Sequence, residues 1–152
     1  MANPFPFTAG QVLTAAQMNG IGEAGTTFTP SWSGYTRGNG TSIAYYVRVN
    51  KLVYVYVKET LGSTSSVTGA IVLTLPITAV RTQAIQMARA RIDDTGANVF
   101  WGTTHGSSTT ETILFADLAS GTYTAFAGIT ATVPMTWANT DSFEFGFVYE
   151  AA

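Results

Sequence analysis

Ser42-Ile43-Ala44-Tyr45-Tyr46-Val47-Arg48-Val49, followed by Asn50-Lys51 and then by Leu52-Val53-Tyr54-Val55-Tyr56-Val57-Lys58-Glu59-Thr60-Leu61, is the stretch from which the fold follows. Side chains alternate across a strand, so the first run sets Ile43, Tyr45, Val47 and Val49 on one face and Ser42, Ala44, Tyr46 and Arg48 on the other. The second run places Val53, Val55, Val57 and Leu61 inward and Tyr54, Tyr56 and Lys58 outward. Asn50-Lys51 between them has the length and chemistry of a tight turn, and the pair reads as a β-hairpin.

The same period continues on either side. The clearest further strand is Ser142 to Glu150, where Phe143, Phe145, Phe147 and Tyr149 alternate with Glu144, Gly146, Val148 and Glu150. Ala70 to Leu75 is a short strand stopped by Pro76, which has no N–H to give to a ladder. Strands are also expected at Thr27 to Ser33, Gln83 to Ile92, Asn98 to Thr103 and Thr112 to Asp117, with a weaker one near Thr130 to Met135; Gly62 to Ser66 is a polar loop. About eight short strands with turn signals between them, and no competing amphipathic helix, predict an all-β chain. The expected architecture is an antiparallel β-sandwich, jelly-roll-like, over residues 26–152, with an up-and-down barrel as the alternative. No internal repeat of fixed period points to a propeller or solenoid.

Composition agrees with one core. The chain has 152 residues, of which 46% are hydrophobic, with only 7 Lys and Arg against 9 Asp and Glu. Disorder requires the opposite balance, low hydrophobicity and high net charge. A formal charge of −2 supplies no cationic surface to neutralise a phosphate backbone, so nucleic acid is not an expected partner. Cysteine is absent, which removes disulfides, thiolate metal sites and cysteine nucleophiles.

Residues 1–25 have a different character. The uncharged stretch from Met1 to Ile21 is broken by Pro4, Pro6 and Gly10 and starts without Lys or Arg, so neither a secretory leader nor membrane insertion is expected, and the chain is expected to begin where it is written. Thr14 can cap a short helix over Ala15-Ala16-Gln17-Met18-Asn19 that Asn19-Gly20 ends. A helix of about two turns does not persist alone in water, so it needs a surface to rest on, through apolar residues such as Phe5, Phe7, Val12, Leu13 and Met18. That surface is another polypeptide or, in the plainer alternative, the chain's own domain.

Residues with chemistry are few and scattered. His105 stands alone in His105-Gly106-Ser107-Ser108-Thr109-Thr110, a run expected to be a loop, with no Gly-x-Ser-x-Gly elbow or third partner to make a hydrolase triad. Asp93-Asp94-Thr95-Gly96-Ala97-Asn98 lacks the alternating acidic register of a calcium loop and reads as a hairpin turn. Asp117, Asp141, Glu144 and Glu150 fall at strand ends or on outward faces and read as solvated. No catalytic activity, metal or cofactor is expected. Two surface features remain. Arg89 and Arg91 share one strand face, either as solubilising charges or as a contact to an acidic partner. Tyr46, Tyr54 and Tyr56 have outward parity, and with Trp101 and Trp137 they are candidates for an oligomer interface or a sugar-stacking platform, unless a second sheet simply covers them.

The opening Phe7-Thr8-Ala9-Gly10-Gln11-Val12-Leu13-Thr14-Ala15-Ala16-Gln17-Met18-Asn19 resembles the start of many tailed-bacteriophage minor tail and fibre proteins. Phe28-Thr29-Pro30-Ser31-Trp32-Ser33-Gly34, Gly38-Asn39-Gly40-Thr41, Tyr46 to Val53 and Leu61 to Gly69 resemble the β-domain of those proteins, as do Pro134-Met135-Thr136-Trp137-Ala138 and Val148 to Ala152. The middle, from Ala79 to Gly128, matches less well. The resemblance implies a virion component, commonly a homotrimer, that docks on other virion proteins through its N-terminal segment while the sandwich projects outward. It implies a tail-tip or fibre role in touching the host surface, a host glycan among the targets, or a decoration or fibre on the capsid. A free carbohydrate-binding module is the reading from a different class.

Overall fold

In the computed structural model, residues 10, 12, 14, 15, 25–80, 88–117 and 125–152 are described. The strands are β1 (Thr26–Thr27), β2 (Trp32–Thr36), β3 (Thr41–Val49), β4 (Leu52–Thr60), β5 (Ser66–Thr74), β6 (Arg89–Asp94), β7 (Asn98–Gly106), β8 (Thr110–Asp117), β9 (Ala125–Gly128) and β10 (Ser142–Glu150). The protein is all-β, and every strand pairing is antiparallel. The strands form one continuous sheet in the order β1-β3-β4-β10-β6-β7-β8-β5-β2, with β9 on β8, curled into a half-barrel. Two separate sheets, as the strand count suggested, are not what the pairing forms: β10 joins the halves by pairing β4 on one side and β6 on the other.

The hairpin sits where the periodicity puts it. β3 and β4 pair from Thr41↔Thr60 to Val49↔Leu52, and Asn50 takes φ 55°, the left-handed conformation that asparagine tolerates better than most residues. Residues directly opposite one another share a face. Ala44 and Tyr46 therefore lie beside Val57 and Val55 on the concave side, while Ile43, Tyr45, Val47 and Val49 lie beside Lys58, Tyr56, Tyr54 and Leu52 on the convex side. The concave face of β3 is thus the one with fewer aliphatic residues. Composition of a single strand does not reveal this, because its face is fixed by the partner strand.

The core fills the curl. Phe143, Phe145 and Phe147 of β10 are fully buried, with Phe145 stacked on Phe147 at 5.9 Å and Phe147 on Tyr149 at 5.8 Å. Each such ring withdraws enough apolar surface from water to contribute about 1.5–3 kcal/mol. Trp32 of β2 meets Phe143 edge-on at 5.4 Å, and Tyr35 meets it at 5.0 Å, so the far edge of the sheet folds over its centre. Val53, Val55, Ile71, Leu73, Ile92 and Ile113 complete the interior. The loop before β3 is stapled to the loop after β4: Gly38 at φ 56° approaches Thr64 so closely that a Cβ would meet its carbonyl oxygen, and the Asn39 carboxamide exchanges hydrogen bonds with Ser63 and Thr64.

Other boundaries moved. The expected strand at Thr130 to Met135 is turn and bend, and β9 lies just before it. The first expected strand is two pieces, β1 and β2, and His105 belongs to β7, exposed, and not to a loop. The Asp93–Asn98 stretch does turn, with Gly96 at φ 87° and the Ala97 N–H donating to the Asp94 carbonyl. Asp141 is buried and not solvated, because it accepts from the Thr95 N–H at 3.0 Å and the Ala138 N–H at 2.6 Å and so ties two turns together.

Candidate functional site

The convex face of β4, β10 and β6 carries a groove of about 630 Å³, within the range that takes a small ligand. Its geometry follows from register. Gly146 of β10 pairs with Tyr56 on one side and Arg89 on the other, so a residue without a side chain forms the floor between two strands with long ones. A Cβ at Gly146 would lie 3.1 Å from the Tyr54 hydroxyl, in the space the groove occupies. Tyr54 and Tyr56 form one wall, Arg89 and Arg91 the other, and Glu144 closes one end. Trp101 on β7 extends the second wall: the Arg89 guanidinium lies over its ring, 4.3 Å from the centroid.

The polar groups are held apart from one another by their partners. The Tyr56 hydroxyl donates to Glu144 Oε2 at 3.1 Å, and Arg91 bonds Asp93 at 2.6 Å while standing 3.8 Å from Glu144. Arg89 has no carboxylate partner among the described residues and is steadied by the indole alone. Burial, the hydrogen bond to Glu144 and the charge of Glu144 push the Tyr56 hydroxyl up to about 12; burial first and then Tyr45 raise Tyr54. Both phenols therefore stay protonated and able to donate through the neutral range. The arrangement offers flat aromatic surface, hydroxyl donors, one carboxylate acceptor and a free guanidinium. It has the parts of a recognition surface.

Of the aromatic residues singled out in the sequence, Tyr54, Tyr56 and Trp101 share this face, together with Arg89 and Arg91. Tyr46 does not: it projects to the concave side, packed against the core and 6.1 Å from Phe28, and Tyr45 takes the outward place beside Tyr56 at 5.4 Å. Trp137 also lies elsewhere, edge-on to Phe143 at 6.2 Å with its indole N–H donating to the Thr130 carbonyl. Sequence reasoning passed over Glu144 and Gly146. The outward parity of both was visible, but their position beside Tyr56 comes from a pairing between strands about ninety residues apart in the chain.

Val12 is 86% exposed; Phe5, Phe7, Leu13 and Met18, proposed with it as anchoring residues, lie outside the described residues. Among the described residues no group of three His, Asp or Glu side chains is placed to hold a metal ion, and no helix is long and apolar enough to cross a membrane. Comparison with protein-family models, curated proteins and solved structures gives no match.

Proposed function

We propose that this chain is a structural subunit of a bacteriophage virion, a tail-associated or fibre-like adhesion protein assembled as a homotrimer. The resemblance of its first residues and β-domain to minor tail and fibre proteins motivates the reading. The observation that carries it is the convex face, where Ile43 at 58%, Leu52 at 56%, Val49 at 53% and Trp101 at 46% remain exposed on a sheet whose concave side is packed. Large apolar side chains left exposed on one sheet face support contact with another molecule. The β3–β4 hairpin would contribute the face between subunits, and the groove around Gly146 the face turned to the host. Residues 1–25 would dock on other virion proteins. In this reading the half-barrel is a continuous-sheet version of a jelly-roll-like sandwich, which is supported by the contact of β2 rings with β10.

Native mass spectrometry of the purified chain tests the assembly: three copies of 16.1 kDa are expected, and a monomer at all concentrations would overturn it. Deleting residues 1–25 should abolish incorporation into particles of the phage that encodes it; unchanged incorporation would remove the anchoring role. A capsid decoration or head fibre is the same proposal at a different place on the particle, separated by imaging of labelled virions. The groove itself favours a second reading, a carbohydrate-binding module acting without a particle, for which glycan binding by a monomer would be the sign.

A further inference from the structure

We propose that the groove over Gly146 binds a carboxylate-bearing sugar, and so that the ligand class of this face is an acidic, uronate-containing glycan. The inference rests on the reading of this face as an adhesion surface and names what that surface holds.

Charge is the first argument. Lys58, Arg89 and Arg91, three of the chain's seven cations, share this face with Asp93, Glu144 and Glu150, and the two arginines line the groove while Glu150 stands at the far end of β10. Asp93 and Glu144 are both engaged by Arg91, and of the two arginines that line the groove Arg89 is the one without a carboxylate partner among the described residues. Its guanidinium rests over the Trp101 ring, 4.3 Å from the centroid, and a planar fork steadied there loses less freedom when it grips a carboxylate with two parallel hydrogen bonds.

The second argument is what the rest of the groove can recognise. β4, β10 and β6 are paired on both sides through the groove floor, so no free backbone edge is present there for a peptide to extend. Recognition has to run through side chains. Tyr54 presents a flat apolar face that suits the C–H face of a pyranose, while the Trp101 ring carries the Arg89 guanidinium. The Tyr54 hydroxyl beside the Gly146 floor and the Glu144 carboxylate supply a donor and an acceptor, the two kinds of group that sugar hydroxyls need. Gly146 makes room for a ring between these walls.

Titration calorimetry on the full chain with hexagalacturonate, cellohexaose and a hexaglutamate peptide tests this. Saturable binding of hexagalacturonate that weakens at high salt is expected, with the neutral sugar and the peptide each bound roughly tenfold more weakly or not at all. Arg89→Ala and Trp101→Ala should each weaken hexagalacturonate binding roughly tenfold or more, since each removes a charged clamp or its support. Arg89→Lys should recover part of it, and Gly146→Val should block it, with circular dichroism confirming that each variant is folded. Arg48→Ala, outside the groove, should change nothing. Equal binding of cellohexaose would overturn the anionic class, equal binding of hexaglutamate would overturn the sugar, and no hexagalacturonate binding, or binding indifferent to Arg89→Ala, would overturn the proposal outright. A trimer that incorporates into particles but ignores hexagalacturonate leaves the adhesion reading standing without this ligand; a monomer that binds it does the reverse.

Discussion

Glu59 on β4 and Glu111 on β8 both project into the concave side of the same sheet, and neither has any exposed surface. Their surroundings differ completely. Glu59 accepts from Arg37 Nε and Nη2, both at 2.7 Å, from the Ser42 hydroxyl at 2.7 Å and from the Trp32 indole at 3.3 Å, so the loop before β3, β2 and β3 all meet on one carboxylate. Glu111 has no hydrogen-bond partner on either oxygen, and the Thr104 hydroxyl beside it has none either. The difference shows that burial alone does not set the role of an acid. With donors supplied, the carboxylate becomes a clasp that closes one end of the curl; without them, burial pushes the Glu111 carboxyl up from its ordinary 4.5 to about 7, against a smaller lowering influence of Thr104.

The largest effect should come from breaking the clasp. Arg37→Ala leaves the Glu59 charge buried with its cation gone, which typically costs about 3–5 kcal/mol. Urea unfolding at neutral pH should show a loss in that range, with Arg37→Met/Glu59→Leu recovering most of it, because the pair is then removed together. A loss below 1 kcal/mol would mean that water replaces the guanidinium at no expense.

Glu111 gives the contrast its pH signature. The folded chain holds this proton more tightly than the unfolded one, so between about pH 4.5 and 7 the folded state binds more protons. Stability from this group is full below about pH 4.5, falls as pH rises toward 7, and is flat above. At 1.36 kcal/mol per unit the fall amounts to ~3 kcal/mol. The measurement is the difference in unfolding free energy between the native chain and Glu111→Gln across that window, since Gln does not titrate. Parallel curves would show that Glu111 is not buried as a neutral acid. Tyr149, the other ionisable group raised in this part of the core, is pushed up to about 12 by burial and stays silent there.

Gly106 sharpens the same point sterically. It pairs with Glu111, and a Cβ there would collide with Glu111 Oε2. Gly106→Ala should therefore cost about 1–3 kcal/mol as the carboxyl is driven from its slot, and should shrink the pH dependence as the group reaches water. A variant as stable as the parent, with the pH dependence intact, would mean that the slot is wider than the backbone geometry implies.

Much of this was legible in the residues and some was not. The period of Leu52 to Leu61 already puts Glu59 in line with Val53, Val55 and Val57, whereas Glu111 stands one residue before the strand expected at Thr112 to Asp117, and its place in line with Ile113 and Phe115 comes from the longer strand that forms. What parity cannot tell is which of them meets a cation. Arg37 reaches Glu59 only because Gly38 and Gly40 turn the chain back at the head of β3. The convex groove divides similarly: Tyr54, Tyr56, Trp101 and the two arginines stand out in the sequence. The floor at Gly146 and the exchange of Tyr45 for Tyr46 follow from register, which pairing between distant strands sets.

The smallest expected effect is the one that separates polarity from charge at the Glu111 end. Thr104 is buried and its hydroxyl, beside Glu111, makes no hydrogen bond of good geometry, so Thr104→Val removes a poorly satisfied polar atom at nearly constant shape. Stability at about pH 3, below both the ordinary value of 4.5 and the folded value, where Glu111 is protonated in both states, should rise by up to about 1 kcal/mol. The hydroxyl is also the one neighbouring group that lowers the Glu111 pKa, so its removal should move the midpoint of the pH transition upward and deepen the fall across the window. The gain therefore differs between the two ends of the pH range, larger at acid and smaller, or turned to a loss, at neutral. A uniform offset would mean that the hydroxyl and the carboxyl do not sense each other. A loss at both ends would mean that the Thr104 hydroxyl has a partner in solution, and the contrast between the satisfied and unsatisfied ends of the interior would have to be redrawn.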